Sequence, residues 1–337
     1  MVERNKPINL GVSVPDFDAY PQTIIEAMRD IVLDENTTMH QMTKITGHPR
    51  LVNVLAKLYS QLLNNKVTGD NILITCGAFE ALYCAIHSII NHGDEAIIID
   101  PAYDEFEVLV KGAGGVPVHT CLKRTGDGTD WQLDLDDLEA KITDRTRLLT
   151  RLELEAIGQL CLKHNFIAVS DEVFEWLTYD GRTHHRIASL PGMYDRCVTI
   201  GSLGKACHVT GWRCGWAIAG NPVVRMGLVM AHMSCANSMP TIIQEAAARF
   251  FELELPRLGT GHSPSPTDNY WSQVTQMLDK KRHTMYGMLL AAGLTPMLPE
   301  GGFTMLADCT KLIDRLDLTE YADPKGKTVA FVRWLSA

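Results

Sequence analysis

The chain has 337 residues, 46% of them apolar and 21% charged, with a formal net charge of -9. That length exceeds a comfortable single core, so two domains are expected. The acidic balance argues against a nucleic-acid surface, which needs a basic stripe, and no run of about eighteen apolar residues offers a membrane span.

The elements alternate through the first two thirds. Residues 71–75 read as a short apolar strand and 78–90 as a helix. Residues 95–100 read as a buried strand, 103–111 as a helix, 116–120 as a strand and 135–141 as a helix. A strand at 146–150, a helix at 152–164 and strands at 166–170 and 197–200 complete the series. Short apolar strands alternating with amphipathic helices imply an α/β fold with a doubly wound sheet, whose ligands sit outside the carboxyl ends of the strands. From 255 to 269 the chain turns to Pro, Gly, Ser and Thr, a loop at a domain boundary, and a long helix at 270–292 follows.

The nine cysteines are scattered without a Cys-x-x-Cys pair, which reads as reduced thiols. The start, Met1 to Ile8, carries no apolar signal core. A cytoplasmic setting is therefore expected, with mitochondria as the second compartment. His184-His185 lies in a polar loop with no third ligand in view, so a solvated loop rather than a metal site is expected there.

The most informative stretch is 199–216. It sets Lys205 in a bend of small residues, with Ser202 three positions before it and Arg213 eight after. Such a lysine suits an amine that must reach a carbonyl while its neighbours hold an anion, because desolvation or a nearby cation lowers its pKa. Asp171 ends an apolar run, where its carboxylate can face a protonated ring nitrogen. Gly77-Ala78-Phe79 follows a strand and opens a helix whose first N–H groups can approach a phosphate, to which Ser202 and Arg213 can add a hydroxyl and a guanidinium. Tyr103 can lay its ring on a flat heterocycle, or serve as an ordinary core aromatic.

In this order, Gly77-Ala-Phe, Pro101-Ala-Tyr103, Asp171-Glu-Val-Phe174 and Ser202-x-x-Lys205 with Thr210-Gly-Trp-Arg213, the chain resembles the class I/II pyridoxal-phosphate-dependent aminotransferases. Trp131-Gln-Leu-Asp134, Trp176 to Gly181 and Ile187 to Gly192 look closest to the kynurenine aminotransferase and cysteine-S-conjugate β-lyase group. The resemblance implies the fold type I architecture: a large domain with a mixed, mostly parallel sheet flanked by helices, and a smaller C-terminal α/β domain. The expected boundaries are an N-terminal arm at 1–20, a cofactor-binding domain at 21–258 and a truncated small domain at 259–337. It also implies pyridoxal 5′-phosphate as cofactor, amino-acid and 2-oxo-acid substrates and a homodimer; no metal is expected from the residues themselves. Lys205 would bind the cofactor carbonyl and move the substrate Cα proton, and Asp171 would pair with the pyridinium. Tyr103 would stack on the ring, Phe174 would line it, and Gly77, Ala78, Phe79, Ser202 and Arg213 would hold the phosphate. Kynurenine, glutamine or an aromatic or sulfur amino acid is the implied donor, with β-elimination from cysteine conjugates as a side activity.

The chain departs from the family pattern in several places. The Asn-Pro-x-Gly loop is missing between Thr150 and Leu152, Phe174 stands where tyrosine is usual, and Met42 replaces a tyrosine that reaches a phosphate. Asn237 and Ser238 replace an aromatic and a histidine, and no residue takes the role of the late arginine that clamps the substrate carboxylate. These departures define an alternative: an impaired or inactive isoform or paralogue that binds the cofactor weakly or only dimerises. Two further motifs fail. Ser202-x-x-Lys205 lacks the Ser-Asp-Asn and Lys-Thr-Gly partners of penicillin-recognising enzymes, and Gly201 to Lys205 lacks P-loop spacing.

Overall fold

The structure, a computed structural model, describes residues 19–125, 131–150, 154–258 and 269–336. Most of the expected N-terminal arm, the junction at 151–153 and most of the Pro/Gly/Ser-rich loop lie outside the described residues.

Eight strands form one sheet: β1 (Ile72–Thr75), β2 (Glu95–Asp100), β3 (Val116–Arg124), β4 (Trp131–Leu133), β5 (Thr146–Thr150), β6 (Ile167–Asp171), β7 (Cys197–Ser202) and β8 (Gly215–Ala219), in the order β1-β8-β7-β6-β5-β2-β3-β4. The centre, from β7 through β6, β5 and β2 to β3, is parallel. By contrast, β8 runs antiparallel to both neighbours and β4 antiparallel to β3. The expected mixed, mostly parallel α/β sheet is what forms.

Successive strand side chains point to opposite faces, and both faces are apolar here. Ile97, Ile99, Leu149, Ala168, Trp216 and Ile218 join one core cluster, while Ala96, Ile98, Leu148, Val169, Ala217 and Ala219 join the other. This two-sided burial explains why the strands read as continuous apolar runs rather than alternating ones. Helices Gln22–Leu33, Pro49–Leu62 and Thr241–Glu254 supply the first cluster, and helices Gly77–Ile89, Glu105–Gly112 and Pro222–Cys235 the second. The helix expected from 103 starts only at Glu105, leaving Tyr103 in the turn before it.

The described residues divide into two compact units. The larger comprises residues 19–176 and Thr183–Ser272; the smaller comprises Leu177–Arg182 and residues 273–336. Within the smaller unit, Arg282 reaches Asp180 at 2.8 and 2.9 Å and lies 4.3 Å from the Tyr179 ring, and the Tyr179 hydroxyl donates to Gly302 O at 2.6 Å. Thr295–Pro296 and Ala307–Asp308 pair antiparallel there. Among the described residues, no helix is long and apolar enough to cross a membrane.

Candidate functional site

The sheet topology concentrates the expected residues at one edge of the larger unit. Thr75 ends β1 before Gly77, Asp100 ends β2 before Tyr103, Asp171 ends β6, and Ser202 ends β7 before Lys205. Because β8 is antiparallel, its first residue shares that edge: Gly215 pairs with both Thr75 and Ser202. Arg213 is thereby delivered to the carboxyl ends of its neighbours.

The turn at Gly77 is built by contact rather than by sequence alone. Gly77 has φ +75°, and a Cβ there would meet Arg213 Nη2 at 2.7 Å. The guanidinium donates to Cys76 O at 3.1 Å and to Thr210 O at 3.3 Å, and Arg213 itself adopts a left-handed φ of 49°. A Cβ at Gly215 would come within 2.5 Å of Gly77 C and 2.7 Å of Ala78 N. The helix Gly77–Ile89 therefore begins directly against β8 with Arg213 beside its first turn. Phe79, in that turn, is 41% exposed. Ser202 is buried, and its side chain makes no hydrogen bond that caps the short helix Leu203–Ala206. A helix N-terminus carrying free N–H groups beside a guanidinium is an anion site in chemical terms.

Lys205 is half-buried. Burial pushes its pKa below the usual lysine value, the Asp171 carboxylate opposes that shift, and the Arg213 cation adds to it. Its Nζ lies 5.8 Å from the centre of the Phe174 ring. Tyr103 is 52% exposed. Its hydroxyl is pushed up by burial and by Glu105, Asp104 and Asp171, against the pull of Arg213. Asp171 and Arg213 thus act electrostatically on both Tyr103 and Lys205, which gathers the four at one site. Asp171 Oδ1 also accepts the Val173 N–H at 3.2 Å, which holds the carboxylate at the strand end. Next to Lys205, burial and the lysine charge lower the His208 pKa to about 4.

Behind Asp171 lies a buried network with no signature in the sequence. Tyr59 donates to Glu175 at 2.5 Å and accepts from Trp216 Nε1 at 2.9 Å; Arg186 pairs with Glu175 at 2.6 Å and with Glu172 at 3.5 Å. Ser170 Oγ donates to Glu172 at 3.0 Å. His184, expected in a solvated loop, instead lies 3.2 Å from Glu172 and is 17% exposed. The reason is that the loop folds back over the buried carboxylates. By contrast, Met42 is 73% exposed, and Asn237, also exposed, takes a left-handed φ of 64°.

Residues 5–322 match the family described as aminotransferase class I and II. The chain is 34% identical over 349 aligned residues to kynurenine–oxoglutarate transaminase 1 of Rattus norvegicus, covering 97% of this chain and 80% of that protein. It is 33% identical to kynurenine–oxoglutarate transaminase 3 of Homo sapiens, covering 98% and 74%. Among solved structures, N-succinyldiaminopimelate aminotransferase from Mycobacterium tuberculosis superposes with a TM-score of 0.81 at 25% identity, covering 93% of this chain and 79% of that one. YbdL from Escherichia coli, identified with a methionine aminotransferase function, gives 0.79 at 26% identity, covering 93% and 81%. These relatives are transaminases of the fold expected, and they do not favour the non-catalytic alternative. With its Lys205 cluster at the carboxyl edge of this sheet, the chain belongs to the class I and II aminotransferase family and is a transaminase.

Proposed function

We propose that this transaminase works with pyridoxal 5′-phosphate held at the Lys205 cluster. We further propose that it moves the amino group of kynurenine, glutamine or another aromatic or sulfur amino acid to a 2-oxo acid. The residues present suit that group. The Gly77 turn leaves no room for a Cβ beside Arg213, so a phosphate can meet both N–H groups and guanidinium, and a half-buried amine stands between an anion and a cation. When bound, the cofactor supplies a carbonyl for an amine to capture and a protonated ring that draws electrons from the substrate Cα.

The chain's own residues do the rest. Lys205, with its lowered pKa, is the amine that engages the carbonyl and then takes and returns the proton at the substrate Cα. Asp171 keeps the ring nitrogen protonated by facing it with a carboxylate. The first N–H groups after Gly77, from Ala78 and Phe79, hold the phosphate together with the Ser202 hydroxyl and the Arg213 guanidinium. Tyr103 covers the ring, and Phe174 gives the pocket an apolar wall with no hydroxyl. The same proton abstraction supports β-elimination when the substrate carries a thiolate leaving group on Cβ, the Cβ–S bond breaking as the thiolate departs.

Two copies are proposed to pair through the exposed stripe Val223, Met226, Met230 and Met233 on helix Pro222–Cys235, apolar side chains that are 45–78% exposed in one chain. The nine free thiols suit a reducing, cytoplasmic setting. The observation that carries the proposal is the placement of Gly77, Asp171 and Lys205 at the carboxyl ends of neighbouring strands with Arg213 against the Gly77 turn. A panel of donors with a 2-oxo acid tests it: aromatic and sulfur amino acids should give the corresponding oxo acids. Turnover confined to other donor classes would overturn the substrate reading.

A further inference from the structure

Helices Gly77–Ile89 and Pro222–Cys235 approach so closely that a Cβ at Gly227 would come within 2.7 Å of Ser88 Cβ. This contact brings the end of the second helix onto the start of the first. Glu80 and Cys84 share one face of the first helix, four residues apart, and His232 and Cys235 share one face of the second, three apart. The ligand atoms of Glu80, Cys84 and Cys235 all lie within 4.8 Å of one another. Cys235 Sγ donates to Glu80 Oε1 at 3.3 Å, and His232 Nδ1 lies 2.6 Å from the same oxygen. The other carboxylate oxygen accepts the Cys76 N–H.

Around a tetrahedral zinc with bonds of about 2.0 Å to oxygen and about 2.3 Å to sulfur, neighbouring ligand atoms stand about 3.5–3.8 Å apart, so small side-chain rotations suffice here. We propose that Glu80, Cys84 and Cys235 form a binding site for a thiophilic divalent cation, zinc being the ion that best suits it. His232 acts as the positioning residue that fixes the carboxylate. Ligation replaces both S–H protons, so one divalent cation enters as two protons leave and the charge of the cluster does not change. That neutrality matters because His232 is fully buried and Glu80 nearly so. Cys84 is buried while Cys235 is exposed, which leaves a fourth position open to water on the Cys235 side. Because ligation displaces the thiol protons, uptake should weaken as pH falls. The spacings Glu-x-x-x-Cys and His-x-x-Cys lie far apart in the chain, so neither signals a metal on its own. The site stands independently of the transamination reading.

The test is cobalt titration of the full-length, reduced, chelator-treated protein. One Co²⁺ per chain should give a thiolate-to-cobalt band in the near ultraviolet and tetrahedral bands in the red visible, clear of the cofactor. Zn²⁺ should displace it, with about two protons released on binding. Cys235→Ser, at an exposed position, should abolish both bands, while Cys121→Ser leaves them. His232→Ala should weaken binding about 10–100-fold while the thiolate band remains at saturation. No such bands, an unchanged Cys235→Ser spectrum, or Cys84 and Cys235 recovered joined as a metal-free disulfide would overturn the proposal.

Discussion

Gly215→Ala isolates the contact on which the anion turn depends. Gly215 does not need a positive φ, so an alanine there strains nothing locally. The whole effect is its Cβ, 2.5 Å from Gly77 C and 2.7 Å from Ala78 N, where ordinary contact begins at 3.4 Å. About 0.9 Å must therefore be found. Strand β8 cannot give it, because Gly215 is paired with Thr75 on one side and Ser202 on the other. The first turn of helix Gly77–Ile89 must move instead. Overpacking of this kind costs about 1–3 kcal/mol, and misplacing binding groups by about 1 Å can cost on the order of 100-fold in rate. Thermal unfolding and pyridoxal-phosphate titration followed by absorbance read both effects. Gly211→Ala is the control, since its Cβ would meet nothing within 4 Å. A Gly215→Ala protein that melts with the parent and binds the cofactor equally well would refute the reasoning.

Further substitutions probe the charges and the partner. Lys205→Met should stabilise the cofactor-free protein near neutral pH, because the folded state holds the lysine below its usual pKa and pays to charge it. That gain should fade as pH rises through the lowered folded pKa towards the unfolded value of 10.5; a melting-temperature gain that is flat across this window would count against it. Arg186→Met leaves Glu172 and Glu175 facing each other without their cation, and breaking such a buried pair costs about 3–5 kcal/mol by denaturant melts; a loss below 1 kcal/mol would contradict the network. Asp171→Asn should keep the fold by circular dichroism but cut transamination at least about 100-fold, the scale of losing one preorganised electrostatic contact, and undiminished activity would remove Asp171 from the site. Met226→Glu with Met230→Glu should shift the protein to a monomer in sedimentation, and an unchanged sedimentation coefficient would redirect the dimer proposal to another surface.

Much of the sheet is legible in the sequence because its strands are buried on both faces. Runs such as Ala96-Ile-Ile-Ile99 and Ala168-Val169 cannot be anything but interior. The motif residues are legible because strand ends set them, and Lys205, Asp171, Tyr103 and Arg213 do converge on one edge. Strand β8 and three of the helices that supply the first core cluster, Gln22–Leu33, Pro49–Leu62 and Thr241–Glu254, are not read in the same way. β8 is short, carries two alanines, and follows a turn whose small residues obscure its start. The three helices owe their positions to packing rather than to caps: none has a side-chain cap at its start. What no local pattern can reveal is contact between distant segments. Gly215 looks like any strand glycine until Gly77 lies against it. Tyr59 finds Glu175, and Glu80 finds His232, only once the sheet and its flanking helices are assembled.

The most direct measurement is borohydride reduction of the cofactor-loaded protein followed by peptide mapping. The account predicts that pyridoxyl label appears on Lys205 alone and that prior exposure to a donor amino acid prevents the labelling. Label on another lysine, or label on Lys205 that no donor amino acid ever removes, would contradict it.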